Sequence, residues 1–274
     1  TLADCMQRYF STNGSDYNAA ANFLAQAPGS VFAYSNMATA LNGYLTELVS
    51  GMSFDQYCNT NIFNKLCMNK TAWHFSDFNP NDVAVPYHFS NGNYIAYPQY
   101  GFADYPDGQL RSNVTDLANF MIAYLNGGSF GSNSILSQAS ISQMWTVQFP
   151  LLQPNMGLNW YKQTLYYNGG SSWVWGHNGG ASGVSTNMYL DPVNNIGLCV
   201  LSNGEGTGIN ICDELYNYAL SLNSATGFSP ACLTTGVDDL QPAKQKKLIK
   251  IIDLLGRETP LKTNTPLIKI FSDG

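Results

Sequence analysis

The chain has 274 residues, of which 45% are hydrophobic and 11% are charged, and this balance excludes a disordered protein. Its 12 basic and 18 acidic side chains give a formal net charge of −6, which argues against nucleic-acid binding. No apolar run reaches about 18 residues, so no transmembrane segment is predicted, and the first residues lack the basic start and apolar core of a signal peptide.

Two amphipathic helices are predicted in the first half of the chain. The first ends at Gly51, and its apolar residues recur at helical spacing: Leu41, Tyr44, Leu45, Leu48 and Val49. The second spans 117–125, begins at Thr115 or Asp116 as a cap, and ends at the glycines 127–128.

The second half of the chain changes to strand patterns. Segments 165–167 and 173–176 flank a polar turn at 168–172, and segments 184–190 and 196–202 flank another at 191–195. Four strands joined by short turns predict an antiparallel meander. A third helix over 209–222 closes it, with one apolar face formed by Ile211, Leu215, Tyr218, Ala219 and Leu222. The expected fold class is therefore α+β, an antiparallel sheet packed by helices.

Charge is distributed unevenly along the chain. Residues 1–235 hold five basic and 13 acidic side chains, whereas the remaining residues hold seven basic and five acidic ones. This shift predicts a main domain at residues 1–223 and a basic C-terminal extension at residues 224–274.

The extension itself has two patterned segments. After Pro242, four apolar residues at helical spacing lie among lysines and predict a basic amphipathic helix over 242–255: Leu248, Ile251, Ile252 and Leu255. Such a helix could bind a partner or an anionic membrane surface, or dock on its own domain with its lysines in water. Residues 266–271 alternate like an edge strand.

The six cysteines are even in number and include no Cys-x-x-Cys pair, which argues against zinc ribbons and thioredoxin chemistry. Disulfides and buried free thiols are both compatible with this pattern, and the even number favours an extracellular or other oxidising compartment. His74 and His88 lie in aromatic, polar loops without metal-ligand spacing, so no metal or cofactor is expected.

Two short segments carry the chemistry. The first, Tyr34-Ser35-Asn36, directly precedes a predicted helix, and the second, the glycine-rich segment 176–183 with His177, lies between two predicted strands. Each segment alone is common in proteins. Their order, the predicted elements on which they lie and the sequence between them together make the pair a specific family signature.

Together these segments resemble the serine β-lactamase and penicillin-binding family, in the branch of class C-type β-lactamases, family VIII-type esterases and D-stereospecific peptidases. The resemblance runs in order from about Pro28 to Leu222. It rests on five segments: 28–48, 62–71, 108–117, 157–179 and 202–203. The first contains the Tyr-Ser-Asn (YSN) motif, the fourth runs from the sequence GLNW to the His-x-Gly (HxG) motif, and the last is Ser202-Asn203 at the end of the closing strand. It implies a β-lactamase/transpeptidase-like fold with an all-helical region between the YSN and HxG motifs.

The resemblance also implies roles for individual residues. Tyr34 corresponds to the family tyrosine that shuttles a proton between nucleophile and leaving group, and Asn36 to the residue whose amide holds a substrate carbonyl. His177 stands where many relatives have lysine, so it would donate to a substrate carboxylate or to Tyr34. Three further residues beside it would bind substrate, with the Gly180 N–H as an oxyanion donor: Asn178, Gly179 and Gly180.

One family feature is missing from the sequence. No lysine has a serine three residues before it, so the chain lacks the Ser-x-x-Lys motif that carries the family nucleophile. The sequence leaves three explanations: a companion N-terminal chain or segment carries the Ser-x-x-Lys, the sequence is a fragment without the N-terminal part of the domain, or the protein is a pseudo-enzyme. The expected function is thus hydrolysis of a small ester, amide or peptide through an acyl-enzyme, and the alternative is a catalytically dead binding or structural subunit.

Overall fold

The computed structural model describes residues 1–206, 208–222, 232, 248–253, 260 and 267–271. The chain divides into two compact units, Thr1–Cys232 and Leu233–Gly274. The predicted boundary at residues 223 and 224 lies outside the described residues and stays a prediction.

The described residues form seven α-helices and ten strands. The helices are α1 Leu2–Phe10, α2 Ala19–Asn22, α3 Asn36–Ser50, α4 Phe54–Cys58, α5 Val114–Leu125, α6 Gln138–Met144 and α7 Ile209–Ser221. The strands are β1 Tyr87–Ser90, β2 Asn93–Ala96, β3 Ser129–Phe130, β4 Asn133–Ser134, β5 Tyr161–Tyr167, β6 Gly170–Ala181, β7 Val184–Asp191, β8 Ile196–Ser202, β9 Leu248–Asp253 and β10 Leu267–Phe271. A π-helical turn at Asn59–Phe63 and 3₁₀ turns at Phe75–Asp77, Pro80–Asp82 and Tyr105–Asp107 complete the regular structure.

The predicted meander is confirmed. Strands β5 to β8 form one antiparallel sheet in chain order, so each strand pairs with its sequence neighbour. The turn between β5 and β6 is shorter than predicted, and β6 runs on through the glycine-rich segment as far as Ala181. The region between the YSN and HxG motifs is not all-helical as expected, because it also contains the hairpins β1–β2 and β3–β4.

The sheet lies between two helical layers. Alternation along β6 and β7 sends Trp175 and Leu190 to the face that packs against α5, and Val174 and Tyr189 to the face that packs against α7. A separate apolar cluster joins α1, α3 and α4 and centres on fully buried Ala40 and Leu66.

The helix ends show how closely local sequence determines local structure. Ser35 caps α3 by accepting a hydrogen bond from the Ala38 N–H at 3.2 Å, and Gly51 ends it with a φ of 70°. In α5, however, the cap is Asn113, which accepts from the Asp116 N–H at 2.9 Å, and not Thr115 or Asp116. Asp116 is buried instead and binds the neighbouring segment, accepting from the Lys70 N–H at 2.8 Å.

The predicted buried face of α7 is wrong. The helix packs on the sheet through Cys212 and Tyr216, both fully buried. The four large residues of the predicted face are exposed, at fractions from 39% to 64%: Ile211, Leu215, Tyr218 and Leu222. The helix is apolar on two sides, so periodicity alone did not determine which side faces the sheet.

In the second unit, the predicted helix over 242–255 is wrong where the structure describes it. Residues 248–253 form strand β9, which pairs antiparallel with β10. The cause lies in composition, because LIKIID and LIKIF are rich in isoleucine, which favours strands. The edge-strand prediction for 266–271 agrees with β10, and the rest of the predicted helix lies outside the described residues.

Both alternatives for the cysteines are found in the described residues. Cys67 and Cys232 form a disulfide with their Cα atoms 5.4 Å apart. Cys5, Cys58 and Cys212 are buried free thiols, and burial raises the pKa of Cys58 and Cys212 to about 11.

One buried carboxylate connects the sheet to α7. Asp191, at the end of β7, is 1% exposed and accepts hydrogen bonds from the backbone N–H of Val193 at 2.8 Å and of Asn194 at 3.1 Å. Its other oxygen accepts from the Asn194 side chain and from the Tyr216 hydroxyl. This network therefore joins the β7–β8 turn to the helix that covers the sheet.

We expect Asp191→Ala to lower the free energy of unfolding by about 3 kcal/mol, because it leaves several buried or half-buried donors without an acceptor. Urea denaturation followed by tryptophan fluorescence would measure the loss. Asp77→Ala is the matched control, because this exposed carboxylate accepts one N–H, from His74. Equal effects of the two substitutions would contradict the role assigned to Asp191.

Candidate active site

The first half of the site is formed by the residues that begin α3. Because Ser35 caps the helix, Tyr34 lies just before its first turn and Asn36 is its first residue. Both side chains are exposed, Tyr34 by 56%. The segment before them is also exposed, including Val31 and Phe32, so the Tyr34 side of the site has little of its own packing.

The second half of the site is on β6, which pairs with β7 without interruption from Trp175 to Ala181. Gly176 makes this close pairing possible, because a Cβ there would collide with the carbonyl oxygen of Met188 and the ring of Tyr189. Gly180 is different, since a Cβ there would point into open space. The peptide backbone of the HNGG segment is thereby held as a strand rather than as a loop.

Three aromatic rings meet where these halves approach each other. The ring centroids of Tyr34 and His177 lie 6.0 Å apart, although the two residues are far apart in the sequence. Tyr161, the first residue of β5, contributes the third ring, 5.2 Å from His177 in an edge-on arrangement and 6.4 Å from Tyr34. The structure therefore brings the two predicted catalytic residues together and adds a tyrosine that the sequence analysis missed.

The tautomer of His177 follows from its hydrogen bond. Its Nδ1 atom lies 2.7 Å from the carbonyl oxygen of Asn178, and a carbonyl can only accept. Nδ1 therefore carries the proton and donates it, which leaves Nε2 of the neutral ring with a free lone pair. An imidazole in this form can accept a proton or a hydrogen bond at Nε2.

The Tyr161 hydroxyl lies in a partly buried position beside a second phenol. Burial raises the pKa of Tyr161 above its ordinary value, and the charge of Tyr34 raises it further. Tyr161 therefore keeps its proton at neutral pH.

The remaining predicted residues lie on the open side of the site. Asn178, Gly179 and Gly180 are exposed along the end of β6, and Asn36 is exposed at the start of α3. No hydrogen bond links Asn36 to the β6 residues within the part of the chain that the structure describes.

The turn that follows β6 is held by neighbouring loops. The Tyr100 hydroxyl donates to the carbonyl oxygen of Ser182 at 2.7 Å, and the Gly183 N–H donates to the Glu205 carboxylate at 3.0 Å. Gly183 has a φ of 72°, and a Cβ there would collide with Pro86 and with the Tyr87 backbone. The end of the His177 strand is thus fixed on both sides.

The sequence did contain a signal for Tyr161. This tyrosine directly follows the GLNW segment, whose Trp160 is buried with its ring centroid 4.9 Å from that of Tyr124. In the β5–β6 hairpin Tyr161 pairs with Gly176, the residue next to His177. The prediction began β5 only at residue 165, so this pairing was not anticipated.

The described residues contain neither a cluster of metal-binding side chains nor a membrane-spanning helix. No three His, Cys, Asp or Glu side chains there lie close enough together to hold a metal ion. No helix there is long and apolar enough to cross a membrane.

We expect Gly176→Ala to cost about 3 kcal/mol of stability, because the added carbon meets the backbone of β7 and overpacks the sheet. The substitution Gly180→Ala, four residues further along β6, has open space for its added carbon and should change stability by less than about 0.5 kcal/mol. Thermal denaturation of both variants tests the difference. If Gly176→Ala were as stable as Gly180→Ala, the close approach of β6 and β7 would be refuted.

Comparison with known proteins places this arrangement in context. Residues 10–220 match the sequence model of the family described as Beta-lactamase. A putative D-alanyl-D-alanine carboxypeptidase of Escherichia coli O157:H7 is 26% identical over 209 residues, covering 66% of this chain and 46% of that protein.

Two solved structures are also similar. The octameric penicillin-binding protein homologue from Pyrococcus abyssi is 27% identical with a TM-score of 0.60, covering 72% of this chain and 44% of that one. The D-stereospecific amidohydrolase from Streptomyces sp. is 25% identical with a TM-score of 0.54, covering 65% and 52%. The chain spans less than half the length of the curated relatives that it matches first.

Proposed function

Because the chain belongs to the beta-lactamase family of hydrolases, we propose that it contributes one part of a serine hydrolase active site. The enzyme would hydrolyse a small ester, amide or peptide through an acyl-enzyme. The observation that carries the proposal is the 6.0 Å approach of the Tyr34 and His177 rings, which unites the two motifs. The serine and lysine of the Ser-x-x-Lys pair would come from a segment outside these 274 residues.

The proposed steps assign a task to each side chain. The serine hydroxyl loses its proton towards Tyr34 as its oxygen attacks the substrate carbonyl, and Tyr34 passes that proton to the leaving group. Water then attacks the acyl-serine and the same proton path runs in reverse, which restores the serine hydroxyl. The N–H of Gly180 would donate to the oxyanion and the Asn36 amide would hold a substrate carbonyl.

His177 would act through its free Nε2 atom. In the neutral ring Nε2 can accept a hydrogen bond from the Tyr34 hydroxyl, and in the protonated ring it can donate to Tyr34 or to a substrate carboxylate. Asn178 and Gly179 would support the substrate along the same strand.

The need for a further cation supports the proposed external segment. A phenol, with an ordinary pKa near 10, shuttles protons at neutral pH only where positive charge stabilises the phenolate. Within the described residues, Tyr34 has no ion pair or hydrogen bond with a lysine or arginine. The lysine of a Ser-x-x-Lys pair would supply that charge.

The surface of the sheet and of α7 indicates where such a segment would dock. The C-terminal end of the outer edge of β5 is already occupied, since the N–H groups of Tyr166 and of Asn168, the residue just after the strand, donate to the side chains of Asp213 and Asn217 at 2.8 and 3.0 Å. Strand β8, at the other edge, has no strand beside it in the described part of the chain.

Helix α7 packs on the sheet that contains β8, and its exposed apolar face is formed by Ile211, Leu215, Tyr218 and Leu222. No other element covers these four large side chains among the described residues, although apolar side chains of this size are usually buried. We therefore propose that the external segment adds a strand to β8 and covers this face of α7 with apolar residues.

The proposed activity is tested with a fluorophosphonate, which acylates activated serines, followed by denaturing intact-mass measurement of the protein purified from its source. The expected result is a mass increase on a companion chain or on a longer form. Tyr34→Phe should lower turnover at least about 100-fold because it removes the proton carrier. Tyr166→Phe, which changes a similarly exposed tyrosine on β5, should leave turnover unchanged. A 30 kDa species alone that never labels would favour the non-catalytic binding subunit instead.

The docking surface predicts a difference between two forms of the protein. Leu215→Asp should lower the stability of this 274-residue chain by about 1 kcal/mol or less, because its side chain is 39% exposed and aspartate has a lower helix propensity than leucine. In the companion-bound or longer form it should cost about 2 kcal/mol or more, because a charge would be buried. Val193→Asp, at an 86% exposed turn, is the control and should be neutral in both. Equal effects of Leu215→Asp in the two forms would exclude docking on this face.

A further inference from the structure

The ring of Tyr161 has the best-anchored position of the three that form the site. The residue before it, Trp160, is 7% exposed and packs against Tyr124 and Trp145. The residue itself is hydrogen-bonded into the sheet, where it pairs with Gly176, and it also bridges to Met156. Its backbone is therefore fixed from both neighbours in the chain and from the adjacent strand.

Tyr34, in contrast, belongs to an exposed segment. Its ring contacts His177 at 6.0 Å and Tyr161 at 6.4 Å, while Tyr161 approaches His177 more closely, at 5.2 Å with an interplanar angle of 69°. An edge-on contact at this distance is a favourable arrangement for two aromatic rings. Two contacts thus hold the imidazole independently of Tyr34: its hydrogen bond to the Asn178 carbonyl oxygen and its edge-on contact with the Tyr161 ring.

We propose that Tyr161 is a positioning residue whose ring holds the imidazole of His177 in the orientation that faces Tyr34. This inference rests on the proposed function for its significance, because it assigns a support to the pair that would move the proton. Burial and the charge of Tyr34 both raise the pKa of Tyr161, so the supporting ring stays neutral while it contacts the imidazole. The role belongs to the ring and not to the hydroxyl, so phenylalanine should replace it.

The test uses nuclear magnetic resonance on the isotope-labelled 274-residue chain itself and needs no turnover. In the unsubstituted protein, a nuclear Overhauser effect between the rings of Tyr34 and His177 is expected. Tyr161→Leu should abolish it and average the His177 side-chain rotamers, whereas Tyr161→Phe should retain both signals. Tyr166→Leu is the matched control, because this tyrosine lies on the same strand, is 63% exposed and contacts no other ring among the residues that the structure describes.

A merely structural role would give a different pattern. It would shift the resonances of buried Trp160 and Leu165 and lower the melting temperature, whereas the positioning role leaves both in place and changes only the His177 and Tyr34 signals. Persistence of the Tyr34–His177 effect in folded Tyr161→Leu would overturn the proposal.

If Tyr161→Leu does not fold, Tyr34→Leu decides the question, because the exposed Tyr34 can be removed without loss of core packing. The proposal then requires His177 to keep one rotamer and its contact with Tyr161, and loss of that rotamer would overturn it. Failure of fluorophosphonate labelling would instead refute the proposed hydrolase and leave this ring arrangement intact. The two failures are therefore distinguishable.

Discussion

The continuous pairing of β6 with β7 is the constraint on which the candidate site depends. Antiparallel register from Trp175↔Leu190 to Ala181↔Val184 carries the backbone through a segment with three glycines, which would otherwise be free to adopt many conformations. The close approach at Gly176 fixes β6 against β7 immediately before His177. Strand pairing thus holds the backbone of this glycine-rich segment in one extended conformation, although its composition is typical of a loop.

The same constraint explains why the site is asymmetric. His177 and Tyr161 stand on two hydrogen-bonded strands whose neighbouring residues, Trp160 and Trp175, are buried in one core. Tyr34 is held by one helix cap and is more than half exposed. One side of the site is therefore preorganised by the fold, and the other depends on whatever covers it.

Sequence patterns predicted the features that depend on local chemistry. The Gly51 end of α3 and the order of the four strands follow from neighbouring residues, and the structure confirms both. The approach of Tyr34 to His177 was implied by resemblance to a family, since no local rule relates segments so far apart.

The errors arose where tertiary contacts choose between two acceptable local structures. Helix α7 has two apolar sides, and its packing through Cys212 and Tyr216 is decided by the sheet and by Asp191 rather than by periodicity. Residues 248–253 satisfy both a helical stripe and an isoleucine-rich strand, and pairing with β10 decides for the strand. Tyr161 was missed because its importance lies in a cross-strand neighbour and not in a motif.

The edges of the central sheet also limit how copies of this chain could assemble. In the described residues, the C-terminal end of the β5 edge is covered by α7 side chains, whereas β8 has no strand beside it. Two copies that paired through their β8 strands would join into one eight-stranded sheet, and this pairing would compete with the strand that the external segment is proposed to add. A chain whose β8 edge carries that strand is therefore protected from association with another copy through this edge.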